Sequence, residues 1–326
     1  MGEGETVFVI AEAGINHNGD AALSRRLVDV AAAAGADAVK FQSFTADGLI
    51  SRVDPDFERV RELELPRAFH DDLRKQAEAR GVLFLSSAFS QADVDFLDGL
   101  GVPAHKVASC ELTNIPLLEY IGARGKPIIL STGFGTLADI ETALATLQRV
   151  GNPPVVLMHC VSLYPAPYDA MNLRAIPTLR AAFGVPVGLS DHSPGIAVAL
   201  AAVALGACAL EKHITVDQNL PGFDHKASLE PGQLTALVDG TRAIERALGA
   251  PAKLVSAAEA ELARGMRKSL VAERALKAGD VITPGSLGIK RPGSGLAPAL
   301  LSQALGKTLR RDLRAGELLR WEDVTW

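Results

Sequence analysis

The chain has 326 residues, of which 48% are hydrophobic and 22% charged, which suits one large globular domain with or without a small companion. A net charge of −5 gives no electrostatic footprint for nucleic acid. Three widely spaced cysteines, Cys110, Cys160 and Cys208, argue against a disulfide framework or a zinc knuckle. With no basic leader and no apolar run of about 18 residues, the expectation is a cytoplasmic protein with no membrane partner.

Short β-branched runs alternate with helical patterns along most of the chain. Strands are expected at 7–13, 38–42, 83–88, 105–109, 127–133, 155–160, 186–191 and 208–214. Helices are expected between them, for example over "AALSRRLVDVAAAAG", with Asp20 as its cap. Another is "TLADIETALATLQRVG", opened by the capping pair Thr136 and Asp139. Eight such units over about 250 residues predict a (β/α)8 TIM barrel, class α/β, with a doubly wound sheet as the alternative. "GFGTLA" at 133–138 superficially resembles a dinucleotide loop but falls at the fifth unit, without a following acid in the right context.

After the barrel (1–252) a helical linker is expected over 253–266, then a small β-rich domain over 267–326. Within it "RALKAGDVI" (274–282) resembles "RDLRAGELL" (311–319), a short internal repeat with a Gly-acid turn before each hydrophobic run. From Met266 to Trp326 there are 11 Lys and Arg against 6 Asp and Glu, or +5, which leaves −10 for the rest of the chain. That split suits an anionic ligand or the body of another subunit; a merely solvated basic surface explains it equally well.

The expected strand ends are polar in all eight units. Active sites of such barrels lie at those ends. Period-two alternation puts Lys40 with Gln42 on one face, as it does Ser190 with His192 and Glu211 with His213. Lys212 points the other way, where pairing with a surface acid would be its role. The seventh and eighth strands are neighbours in a barrel, so His192 and His213 can converge on a divalent ion, although each could simply be hydrogen-bonded. Lys40 and Lys106, with the hydroxyls of Ser109, Ser131, Ser162 and Ser190, can surround a phosphate and a carboxylate; two snorkelling structural lysines are the alternative.

"IAEAGINHNGD", "GADAVKFQSF", "KVASCELTNIPLLEYI", "HCVSLYPAPYDAMNLRAI", "VGLSDHSPG", "LEKHIT", "DHKASLEP" and "KRPGSG" follow one another along nearly the whole chain. In this they closely resemble the sialic acid synthase family, the N-acetylneuraminate, N,N′-diacetyllegionaminate and pseudaminate synthases. The resemblance implies a TIM barrel followed by an antifreeze-like (SAF) domain. It implies condensation of phosphoenolpyruvate with an open-chain N-acylated aminosugar, N-acetylmannosamine or a 2,4-diacetamido-trideoxy hexose. The products would be a nine-carbon ulosonic acid and inorganic phosphate. It further implies a homodimer in which the SAF domain covers the partner's site.

Carried over by motif, His192 and His213 would bind the metal, Mn2+ before Mg2+ or Co2+. Lys40, Ser87, Lys106, Ser109, Ser131, Ser162 and Ser190 would hold phosphoenolpyruvate. Glu12, Gln42, Tyr164 and Asp224 would hold the sugar, with Arg291 reaching across from the partner. Glu12, Glu111 and Glu211 are the candidate catalytic carboxylates, Glu111 for proton transfer. His17 and His225 receive no role. The segment 44–66 is shorter than in typical members, which implies a sugar pocket that is wider or shaped for a different or larger aminosugar. Another deoxy-ulosonate synthase or a metal-dependent aldolase remains as an enzymatic alternative, and a non-catalytic sugar sensor as one of another class.

Overall fold

The computed structural model describes Gly2 and residues 4–326. Eight parallel strands form a closed barrel in sequence order. They are β1 (Phe8–Gly14), β2 (Ala38–Ser43), β3 (Leu83–Ala88), β4 (His105–Val107), β5 (Ile128–Ser131), β6 (Val155–Cys160), β7 (Val187–Asp191) and β8 (Ala209–His213). The doubly wound alternative is thereby excluded. Helices cross between the strands, and their caps follow the expected chemistry. Asp20 accepts from the amides of Ala22 and Leu23 at the head of helix Ala21–Ala33. Thr136 and Asp139 close a reciprocal capping box on helix Leu137–Val150.

The strands bury both faces. Their outward residues, such as Val9, Val39, Phe84, Leu130 and Leu210, pack against the helix layer in the main core. Their inward residues form a small separate cluster that includes Ile10, Ala38, Leu85, Ile129, Met158 and Ala209. This is the apolar floor of the barrel. Two residues further along the same strands, on the same face, stand Glu12, Lys40, Ser87, Ser131, Cys160 and Glu211. The floor therefore lifts a polar layer to the C-terminal mouth.

Two strand ends differ from expectation. β4 stops at Val107, and Ser109–Glu111 forms a 3-10 turn, so Ser109 is carried on a turn. β5 stops at Ser131, and the chain turns at Thr132. Segment 44–66 folds into two short helices, Ala46–Leu49 and Phe57–Arg61. From the second, the Arg59 guanidinium lies 3.5 Å from the Phe223 ring centroid, tying the loop after β2 to the loop after β8.

The chain divides into two compact units between Gly249 and Ala250. Helix Ala257–Met266 falls in the second unit. That unit holds two antiparallel pairs, β9 (Ser269–Ala272) with β10 (Leu287–Lys290), and β11 (Thr308–Leu309) with β12 (Val324–Thr325). The internal repeat is real in structure. Leu276 and Leu313, equivalent residues of its two halves, exchange backbone hydrogen bonds with each other. Gly279 and Gly316 both hold positive φ at equivalent turns. Among the described residues no helix is long and apolar enough to cross a membrane.

Gly188 faces inward on β7, two residues below Ser190. A Cβ there would lie 2.6 Å from the Ala209 carbonyl oxygen and 2.7 Å from Met158 Sδ. Backbone cannot give way as a flexible side chain can, so Gly188→Ala is expected to cost about 1–3 kcal/mol of stability by overpacking. Urea unfolding with an unchanged m-value is the measurement.

Candidate active site

The mouth of the barrel carries four buried charges within reach of one another. Lys40 Nζ lies 2.8 Å from Glu12 Oε2 and 3.9 Å from Glu211 Oε2, and donates to Ser87 Oγ at 3.2 Å. Lys106 Nζ donates to Ser131 Oγ at 2.7 Å and lies 3.6 Å from Glu211 Oε1. Ser190 donates to Glu211 at 3.0 Å. All four residues are at least 95% buried, so this charge must be paired to exist there at all.

The strand register explains the meeting. Glu12 stands opposite Lys40 on one side and His213 on the other, and Ser190 stands opposite Glu211. Burial pushes the Glu12 carboxyl up to about 7 against the pull of Lys40. Burial also opposes the charge of Glu211, but Lys106 and Lys40 outweigh it and hold its carboxyl below the ordinary range. Burial works against Lys40 too, but the two carboxylates keep its ammonium above the usual value. For Lys106 burial wins, and its ammonium is lowered.

Beside this layer the two imidazoles converge, with ring centroids 5.3 Å apart. His192 Nδ1 lies 2.9 Å from the Val161 carbonyl oxygen; as donor to it, the ring keeps its Nε2 lone pair. Burial first, then His192, drives His213 well below the ordinary histidine range, so its ring is neutral. Its buried Nδ1 has no hydrogen bond and lies 3.7 Å from Asp224 Oδ2. Burial raises the Asp224 carboxyl to about 6. Burial opposes the charge of His192, but contacts with Cys160 and the Val161 carbonyl outweigh it and hold His192 above the ordinary histidine range. Two imidazoles, one with an orphaned ring nitrogen, and a nearby carboxylate are donor types that a divalent cation takes, although among the described residues no three such side chains stand grouped as a metal site. Tyr164 closes this side, its ring centroid 4.1 Å from that of His192.

These groups line one cavity of about 260 Å³. Of the residues carried over by motif, all but two line it. Glu111 does not: its carboxylate accepts from Asn114 Nδ2 at 2.6 Å. Arg291 stands exposed in the second unit, just after β10. A larger depression of about 790 Å³ lies at the opposite end of the barrel, among residues such as Thr6, Val185, Ala207 and Cys208. Volume does not locate the chemistry; convergent buried charge does.

The expectation for Lys212 needs correction. It does face away from the cavity, but its partner is no surface acid. Lys212 and Asp191 are both 1% exposed and 2.7 Å apart. The pair bridges β7 to β8 on the outer face, at the residues beside His192 and His213. His159 also faces outward, to the Met171 carbonyl. His225 contacts Thr215 Oγ1, which makes it part of the loop's own hydrogen bonding. Sequence reasoning missed Cys160 and Phe134, which both line the cavity. The alternation that placed Ser190 and His192 places Cys160 inward too; nothing in the sequence marks Phe134.

A model of the NeuB family matches residues 27–253, and one of the SAF domain matches 267–325. The chain is 42% identical to the N,N′-diacetyllegionaminic acid synthase of Campylobacter jejuni, over 96% of this chain and 98% of that one. It is 33% identical to a pseudaminic acid synthase of the same species, over 97% and 96%. The crystal structure of N-acetylneuraminic acid synthetase from Leptospira borgpetersenii, in complex with citrate, superposes with a TM-score of 0.76 at 38% identity, covering 79% of this chain and 90% of that one. The family match and these relatives, all synthases, make the chain a TIM-barrel enzyme of the condensing, transferase type. The chain belongs to the NeuB family and carries a C-terminal SAF domain.

His17 lies outside the cavity lining and is fully buried, with Nδ1 accepting from the Gly19 amide at 3.0 Å. Burial, then the neighbouring His70, lowers its pKa from 6.5 to about 4. Below pH 6.5 the unfolded chain therefore takes up this proton first. The stability held above pH 6.5 is lost as pH falls to about 4, on the order of 3 kcal/mol. His17→Asn is expected to flatten that part of the stability–pH curve, measured by urea titration between pH 7 and pH 4.

Proposed function

We propose that this enzyme condenses phosphoenolpyruvate with an open-chain N-acylated aminosugar of the 2,4-diacetamido-trideoxy or N-acetylmannosamine type. The products are a nine-carbon ulosonic acid and inorganic phosphate. The observation that carries this reading is the pairing of a two-lysine, serine-lined cradle with two convergent imidazoles in one small cavity. An anion fits the first, and a carbonyl oxygen beside a divalent cation fits the second. The higher identity to the legionaminic acid synthase than to the pseudaminic acid synthase favours the legionaminate type of acceptor.

In this reading Lys40 and Lys106 neutralise and orient phosphoenolpyruvate, with Ser87, Ser109, Ser131, Ser162 and Ser190 holding its oxygens. Without substrate the lysines are balanced by Glu12 and Glu211. An entering polyanion adds negative charge, and Glu12, titrating near neutrality, answers it by taking a proton. Protonated Glu12, which sits 3.2 Å from Gln42 Nε2, then faces the acceptor as an acid. C3 of phosphoenolpyruvate attacks the aldehyde carbon, and positive charge develops at C2 between carboxylate and phosphate. Water adds to C2, and cleavage of the C2–O bond releases phosphate. His192 and His213, with Asp224 close by, would hold a divalent cation, Mn2+ first, whose Lewis acidity polarises the aldehyde. Tyr164, Gln42 and Asp224 line the sugar's path.

His192→Ala and His213→Ala are expected to lower condensation by more than about 1,000-fold while calorimetric binding of phosphoenolpyruvate stays within about threefold. Near-wild-type turnover of either variant in chelator sinks the metal assignment. Phosphate must appear in step with sugar consumption; its absence favours an aldolase.

The same reading makes the protein a homodimer whose SAF domain supplies Arg291 to the partner's cavity. The opposite charges of the two parts of the chain, +5 from Met266 onward and −10 before it, and the exposure of Arg291 support this. Mixing inactive His213→Ala with inactive Arg291→Ala subunits is then expected to restore roughly a quarter of wild-type activity through heterodimers. No recovery after subunit exchange would exclude a shared site.

A further inference from the structure

Between Ser131 and Thr136 the chain makes a turn closed by a hydrogen bond from the Gly135 amide to the Thr132 carbonyl at 3.2 Å. Its third residue is Phe134, at φ +63°. That left-handed position disfavours any β-carbon, and in turns it is normally filled by glycine or asparagine. Glycines stand on both sides of it instead, each for a packing reason. A Cβ on Gly133 would lie 2.1 Å from Ser162 Oγ and 2.7 Å from Ser109 Oγ. A Cβ on Gly135 would lie 2.2 Å from Leu112 Cδ2. The Gly133 amide also donates to Ser109 Oγ at 3.0 Å. The turn is thus pressed onto two of the hydroxyls of the anion cradle.

The Phe134 side chain is 79% exposed, although it is large and apolar. Its residue lines the cradle cavity on one side. On the other it lines an apolar pocket of about 430 Å³, walled also by Leu137, Ile140, Leu163 and Leu179. Cys160 and Ser162 belong to both walls. A backbone conformation unfavourable to phenylalanine, next to the anion site, with an unburied ring, has no folding advantage. Strain retained at such a place points to use.

We propose that Phe134 is a positioning residue for phosphoenolpyruvate: its ring turns in from solvent over the serine side of the cradle once the anion is bound, and excludes water there. This rests on the phosphoenolpyruvate reading above. Phe134 follows β5, and its turn is packed on Ser109 and Ser162, so the ring is placed to cover the serine side of the cradle. Removing water strengthens the lysine and hydroxyl contacts with the anion and keeps the developing charge at C2 from stray solvent.

The test uses the full-length protein and phosphoenolpyruvate alone, without acceptor. Phe134→Trp places a reporter on the turn, read as the emission difference from wild type, which carries only Trp321 and Trp326. A blue shift that saturates with the calorimetric affinity for phosphoenolpyruvate is expected. Phe134→Gly is expected to weaken phosphoenolpyruvate binding about tenfold while the melting temperature stays the same or rises, because glycine relaxes the left-handed position. A purely structural ring would instead lower the melting temperature. If wild type binds phosphoenolpyruvate, either an unmoved emission or an affinity of Phe134→Gly within about twofold of wild type overturns the proposal. An emission that shifts with protein concentration alone also overturns it, assigning the ring to a contact between copies. If wild type does not bind phosphoenolpyruvate, the functional reading itself fails first.

Discussion

Four charges at the mouth of a closed barrel set the terms for the rest of this structure. Glu12, Lys40, Lys106 and Glu211 are almost without solvent, and removing any one would leave its partner buried and uncompensated, a loss of several kcal/mol. Such a set survives only on a rigid frame, and eight paired strands with no free edge are that frame. The apolar floor beneath them holds their height, and Gly188 leaves the room the floor needs.

The arrangement is balanced in charge but unequal in proton affinity. Glu211 lies between two ammonium groups and stays ionised, while Glu12 faces one ammonium group and titrates near neutrality. Uptake of one proton by Glu12 would therefore offset part of the charge of an entering anion. The two imidazoles lie beside that layer, and the buried Lys212–Asp191 pair stitches the two strands that carry them from behind. Charge on the inner face lines the cavity; charge on the outer face ties β7 to β8.

Much of this was legible in residue order. Inward alternation at Lys40 and Gln42, Ser190 and His192, and Glu211 and His213 is a property of any strand, so the cavity walls followed once the strands were recognised. The caps at Asp20 and Thr136 are equally local. What residue order left open has a common cause. Glu111, read as catalytic from its motif, lies outside the cavity lining, with its carboxylate accepting from Asn114. Lys212 was rightly placed on the outer face, but its acid comes from the neighbouring strand, a partner that pattern on one strand cannot reveal. Phe134 carries no signal at all, because positive φ is a property of a turn and phenylalanine does not announce it.

What the sequence by itself determined is periodicity and chemical type: a parallel barrel, a basic β-rich tail with an internal repeat, and two lysines and two histidines at strand ends. Those depend on neighbours close along the chain, where geometry is set by the backbone. Only the tertiary structure decided which charges meet, which carboxylate titrates near neutrality, and which ring is left in solvent at the cradle's edge. Those depend on burial and on distances between strands, and closing the barrel is what brings residues two hundred positions apart, such as Glu12 and Glu211, into the same few ångströms of low-dielectric space.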